Sequence, residues 1–250
     1  SYGSGYEGQG CVNDEMTNYY VEFMKKHIFA YLNPPITSKV LPMYWYLGYN
    51  VYSKSVLEVG GVILASWIVP IHENYDGLDY WCTCMFGEDN PSDPYLIPTD
   101  RALLDRRRKM ILAPVLEKAV KAGNIIIPEE FEVGFDHVTN LIAGLGMEDD
   151  PNYYLTRGYP GSVNTYVFNS ISEPANNSYP PTNEETFIGY MHLSMYYNQT
   201  RLAEVYPADK YPFLTEKFAF VQKYLKDKYQ IDLEAIANGP EDWNLPLPPI

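Results

Sequence analysis

The sequence predicts a mainly α-helical chain with long irregular loops and a single transmembrane helix. Three observations predict it. Apolar residues recur at three- and four-residue steps over about 14–32, 99–123, 182–205 and 215–229, the spacing of one helix face. The run Val56–Ile71 is interrupted only by Glu58, Gly60-Gly61 and Ser66. Residues 72–98, 144–182 and 239–250 are rich in Gly, Pro, Asn, Asp and Ser and show no period. The chain divides accordingly into an N-terminal tail and amphipathic helix (1–40), an aromatic-rich segment and membrane span (41–71), an acidic loop (72–98) and an acidic helical domain with a Pro-rich tail (99–250).

Residues 1–12 are Gly-, Ser- and Tyr-rich and read as an extended tail. In the first helix Met16, Tyr20, Phe23, His27, Ile28 and Tyr31 draw an apolar stripe; Asn13 or Asp14 caps it, and Asn33-Pro34-Pro35 stops it. Tyr44, Trp45, Tyr46, Tyr49 and Tyr52 form the densest aromatic cluster and directly precede Val56–Ile71. Sixteen helical residues rise only about 24 Å against a hydrocarbon core of about 30 Å. Extension back to Leu47 gives the missing length and brings in Lys54 and Glu58, four apart and able to pair. Trp67 and the tyrosine cluster resemble interfacial aromatic belts, and the lysines on the N-terminal side set an orientation. The first alternative is a soluble α+β protein with a hairpin at 56–69, in which Gly60-Gly61 turns between β-branched strands; the second is a buried core helix, which the paired glycines weaken.

Helix resumes at Thr99 or Asp100 and ends at Gly123, with Pro114 inside it. Ile125–Ile127 reads as a short strand and Pro128-Glu129-Glu130 as a helical turn. Thr182 and Glu185 have the spacing of a capping box, and the helix behind them, to about Val205, buries Phe187, Tyr190, Met191, Ser194, Met195 and Leu202. A last helix begins near Thr215.

Few residues look like chemistry. Lys and Arg number 18 against 32 Asp and Glu, a net charge of −14, which argues against nucleic acid as a partner. Three cysteines, Cys11, Cys82 and Cys84, read as packed thiols. Gly3-Ser4-Gly5-Tyr6-Glu7-Gly8 matches a dinucleotide fingerprint in letters only, since no strand precedes it. His27, His72, His137 and His192 stand singly, without metal-ligand spacing. The oxygen-rich stretches 74–79 and Glu88-Asp89-Asn90 lack the spacing of a calcium loop. Glu129-Glu130, Glu148-Asp149-Asp150 and Glu184-Glu185 can each supply half of a carboxylate pair. Arg106-Arg107-Arg108-Lys109 is the one basic cluster, and spread around a helix it suits a solvated turn or a salt-bridged docking patch better than an anion site.

The expectation is a noncatalytic accessory subunit of a larger membrane assembly, such as an energy-transducing complex of respiratory type, with other protein subunits and the lipid bilayer as partners. Contacts are expected from Arg106, Arg107, Arg108, Lys109, Tyr44, Trp45, Tyr46 and Trp67; no cofactor or metal is expected. A start at Ser1 without Met fits a removed presequence and the mitochondrial inner membrane, the acidic C-terminal region on the intermembrane side. The competing expectation is a secreted or periplasmic acidic enzyme or carbohydrate-binding domain working through paired carboxylates.

Overall fold

The computed structural model describes residues 2–11, 13–70, 74–76, 79–86, 97 and 99–244. They form two compact units, one from Ser1–Ala30, Leu41–Ile111 and Asp242–Ile250, the other from Tyr31–Val40 and Leu112–Glu241. Helix takes 44% and strand 17%, so the chain is mixed α/β, not mainly α.

In the first unit β2 (Tyr44–Val59) is the axis of a sheet with β1 (Tyr2–Gly10), β3 (Val62–Pro70), β4 (Asn74–Asp76) and β5 (Tyr80–Phe86). At about 3.3 Å per residue β2 extends about 53 Å. β1 pairs antiparallel along one edge, from Gly48 to Leu57. The opposite edge is shared. β5 runs parallel beside 44–49, and β3 runs antiparallel beside 52–59. β4 lies outside β5.

This sheet corrects three expectations. Val56–Pro70 is strand, turn and strand, and among the described residues no helix is long and apolar enough to cross a membrane; Ile71 lies outside them. Gly60 and Gly61 sit at φ +62° and +82°, the two positive values a type I′ hairpin turn requires. An apolar run alone does not separate helix from strand; the paired glycines do. Residues 2–10 are not a tail, because β2 offers its free edge to a segment with little strand propensity of its own. The acidic loop contains β4 and β5, while Glu88-Asp89-Asn90 and the tail from Leu245 lie outside the described residues.

Helix α1 (Asp14–Phe23) lies in the same unit. Asn13 caps it, its side chain accepting from the Met16 amide at 2.8 Å. Met16, Tyr20 and Phe23 are fully buried at the expected spacing, and the Tyr20 hydroxyl donates to the Thr83 carbonyl in β5 at 2.6 Å. The helix continues through a π turn, Met24–Ile28, and a 3₁₀ turn, Phe29–Tyr31.

Helix α3 (Arg101–Lys121) contains the division between the units, which falls after Ile111. Asp100 caps it, accepting from the amides of Ala102 and Leu103, and Gly123 follows its end at φ +79°, both as expected. In the second unit follow α2 (Pro34–Thr37), α4 (Glu129–Glu132), the two-residue pair β6 (Ser162–Val163) and β7 (Ile171–Ser172), α5 (Asn183–Tyr196), α6 (Gln199–Val205), α7 (Pro212–Tyr229) and α8 (Leu233–Asn238). The Thr182–Glu185 capping box is formed in both directions. The helix expected to reach Val205 breaks at Tyr197, whose backbone is extended, and Asn198 caps a new one. Ile125–Ile127 is not a strand; Ile126 donates its amide to the Tyr229 hydroxyl, and its carbonyl accepts from Tyr224. Helix α5 is the core. Phe187, Tyr190, Met191, Leu193 and Met195 are all buried, more than one stripe, as a helix enclosed on every side requires.

Candidate functional site

Of the residues expected to contact partners, the hairpin and its root present most to solvent. On β2, odd positions share one face and even positions the other. Tyr44 and Tyr46 lie on the even face, both exposed, and Tyr46 meets Tyr80 edge-on with centroids 5.6 Å apart. Trp45 turns inward. It donates to the Thr83 hydroxyl at 2.6 Å and packs edge-on against Trp81. The odd face is covered at Val51 and then opens. Leu57 and Val59 are exposed there, and so are Val62 and Trp67 across the turn, while Ile63, opposite Glu58, is exposed on the other face; these side chains are 37–63% exposed. Leu64 is the extra residue of a bulge opposite Leu57-Glu58.

The basic cluster behaves differently. Arg107, Arg108 and Lys109 are buried, and Arg108 and Lys109 both reach Asp105, at 2.9 and 2.8 Å. Arg106 is the half-buried member. Four consecutive residues on a helix point in every direction, so a cluster of this kind at a buried helix must send charge inward.

The histidines do not converge. His72 lies outside the described residues. His137 Nδ1 stands 2.8 Å from the Pro181 carbonyl. Among the described residues no group of three or more His, Cys, Asp or Glu side chains is placed to hold a metal ion. His27, in the π turn, packs against Phe23 and Trp243, and burial, with help from Arg108 and Lys26 against Asp242, lowers its pKa to about 4. His192 is lowered to about 4 as well, chiefly by burial, with Glu117 opposing and Lys121 assisting.

These two histidines set an acid limit on stability. An unfolded histidine titrates near 6.5. Between that value and 4 the unfolded chain binds more protons, so stability is full above pH 6.5 and falls as the pH drops toward 4. The expected loss is on the order of 2 kcal/mol per histidine. Urea unfolding at pH 7.5 and 4.5 measures it, and His27→Phe should flatten the difference by about half.

The second unit contains a cleft of about 660 Å³, within the range of small-molecule sites. One face of α5 lines it through Glu185, Ile188, Gly189 and His192, and α3 contributes Glu117 and Lys121. Four prolines, Tyr159 and Tyr179 form much of the remaining wall, together with Leu141 and the 161–165 segment. Glu117 Oε1 takes the Lys121 ammonium at 2.6 Å, and its Oε2 stands 3.7 Å from His192 Nε2. That nitrogen is buried and has no hydrogen-bond partner among the described residues. Lys121 is raised by its bond to Glu117 and by Glu184 and Glu185 nearby. A histidine protonating near 4 is a poor proton acceptor at neutral pH, so the geometry suits holding a ligand more than moving a proton.

Of the carboxylates considered from the sequence, only Glu185 reaches this cleft. Its companion Glu117 stands in a different helix and has no motif around it. The spacing of Glu117 and Lys121, and of Glu185, Gly189 and His192, marks two polar helix stripes, the one signal available beforehand. In comparison with known proteins, no family model, no curated protein and no solved structure matches this chain.

Proposed function

We propose that this chain is a noncatalytic subunit of a larger protein assembly and that the β2–β3 hairpin is the arm that docks on its partner. The observation supporting this reading is the set of exposed apolar side chains on the hairpin, Leu57, Val59, Val62 and Trp67 on one face, with Ile63 on the other and Leu64 at the bulge. Single exposed apolar residues are ordinary; several gathered into a patch mark an interaction site. The edge of β3 supports it too. From Val62 to Pro70 the strand carries no charged side chain, and among the described residues it pairs only with β2. Edges left without a charge attract another strand, so the partner adds a strand to β3 and covers the hairpin face. With a net charge of −14, the chain favours a partner with a basic surface over a second copy of itself.

The test is a triple substitution, Val62→Thr, Ile63→Lys and Leu64→Thr, made in the native source. The wild-type chain should sediment in an assembly larger than its own mass, and the variant as a monomer. Its urea midpoint should stay within about 0.5 kcal/mol of wild type, because exposed sites contribute little to folding. A variant that still assembles, or a wild-type chain that is monomeric in its native source, overturns the proposal. Purified chain that dimerises by itself overturns the choice of a basic partner.

A further inference from the structure

The cleft in the second unit holds a notch between Glu117 and His192 that offers two acceptors when the neutral imidazole carries its proton on Nδ1. Glu117 has one carboxylate oxygen engaged by Lys121 and the other turned toward His192 Nε2, 3.7 Å away. A donor atom about 2.8 Å from each, an ordinary hydrogen-bond length, fits that separation. His192 is 8% exposed, and its Nε2 has no partner among the described residues. A buried polar atom left unmatched costs about 1–3 kcal/mol, and such a group facing a cleft calls for a ligand or water. Gly189, between Glu185 and His192 on the same face of α5, lines the cleft as well; a Cβ there would stand 3.3 Å from the Pro160 ring. The lining carries two carboxylates, Glu117 and Glu185, against one ammonium, Lys121. This surplus repels anions and favours a cation. The exposed Tyr179 ring on the wall adds a face that attracts cations.

We propose that this cleft binds a small organic cation, an ammonium or guanidinium on a short carbon chain, whose N–H groups bridge Glu117 Oε2 and His192 Nε2. Lys121 is the internal competitor, an ammonium of the chain itself on the neighbouring oxygen. The ligand's carbon chain lies against the proline and tyrosine wall. The same chemistry is presented by a free amine and by a basic side chain at a peptide end, so the probes include both.

Isothermal titration of the full chain with agmatine, putrescine and N-acetyl-arginine amide, at low ionic strength, tests the proposal. At least one should bind, and glucose and inorganic phosphate should not. A stronger response to agmatine or putrescine identifies a free amine as the natural form; a stronger response to the arginine amide identifies a side chain. Glu117→Gln should weaken binding at least tenfold. Lys121→Met, an exposed change, should strengthen it severalfold by freeing the carboxylate, an effect that diffuse attraction to an acidic surface does not produce. His192→Gln tests the second acceptor, with circular dichroism as the check on folding. Absence of binding by all three cations overturns the proposal, as does equal binding of glucose, or affinity unchanged in both Glu117→Gln and Lys121→Met.

Discussion

Replacing Gly158 with alanine is expected to destabilise the second unit by about 3 kcal/mol. Two costs add there. Gly158 sits at φ +76°, where a side chain costs about 1–2 kcal/mol. A Cβ at this position would also stand 2.4 Å from Cδ1 of Phe213, and forcing atoms into a packed site costs about 1–3 kcal/mol. Phe213 has no easy retreat, because a Cβ built on Gly134 would meet the same ring from another side at 3.0 Å. The Gly158 carbonyl also accepts from the buried Tyr190 hydroxyl of α5, so a backbone shift reaches the core helix. Gly146 is the control. Its φ is +81° with nothing within 4 Å of an added Cβ, and its alanine variant should lose only the backbone part, about 1 kcal/mol. Thermal unfolding of both variants checks the pair, at roughly 2–4 °C per kcal/mol for a chain of this size. Equal losses at the two sites would remove the role given to Phe213.

Lys217→Ala is expected to cost about as much, for a different reason. Lys217 is 3% exposed in α7. Its ammonium donates to the Phe131 carbonyl at 2.8 Å and stands 5.2–5.9 Å from the ring centres of Phe131, Phe135, Phe213 and Phe220. Burial lowers its pKa, with Glu216 opposing. The rings and the carbonyl at the end of α4 therefore replace the water this charge has lost. Alanine removes the stem, the ring contacts and the donor together, at about 3 kcal/mol. Lys217→Met keeps most of the packing volume and loses only the charge and the donor, at about 1–2 kcal/mol. Urea unfolding of the two variants orders them. Methionine indistinguishable from wild type would mean that the ammonium contributes nothing beyond its carbon stem.

The helical half of the molecule was largely legible in the sequence because its punctuation is local. Asp100, Gly123, Thr182 and Glu185 act on backbone groups within four residues, and each does what its position announces. The sheet was not legible in the same way. β1 contains Gly3, Gly5, Gly8 and Gly10 and becomes a strand only because β2 lies beside it, a pairing some fifty residues distant. β5 is set among acidic turn residues, and the neighbour that ties it to the sheet is the parallel start of β2. Val56–Ile71 had the composition of two structures, and its charge and aromatic flanks fitted the one that did not form. The cleft was hidden for a related reason. Glu117 and His192 stand on separate helices with no spacing to relate them, and the basic run that drew notice, Arg106–Lys109, is mostly interior.

One edge of β2 is divided lengthwise between two neighbours, β5 along the first stretch and β3 along the second. Residues added or lost in matched pairs near Gly60-Gly61 therefore leave every bond to β5 in place and keep inward and outward positions in phase. How far the arm reaches is thus a quantity that descendants of this chain can tune in steps, each about two residues long, without retuning the body that carries it.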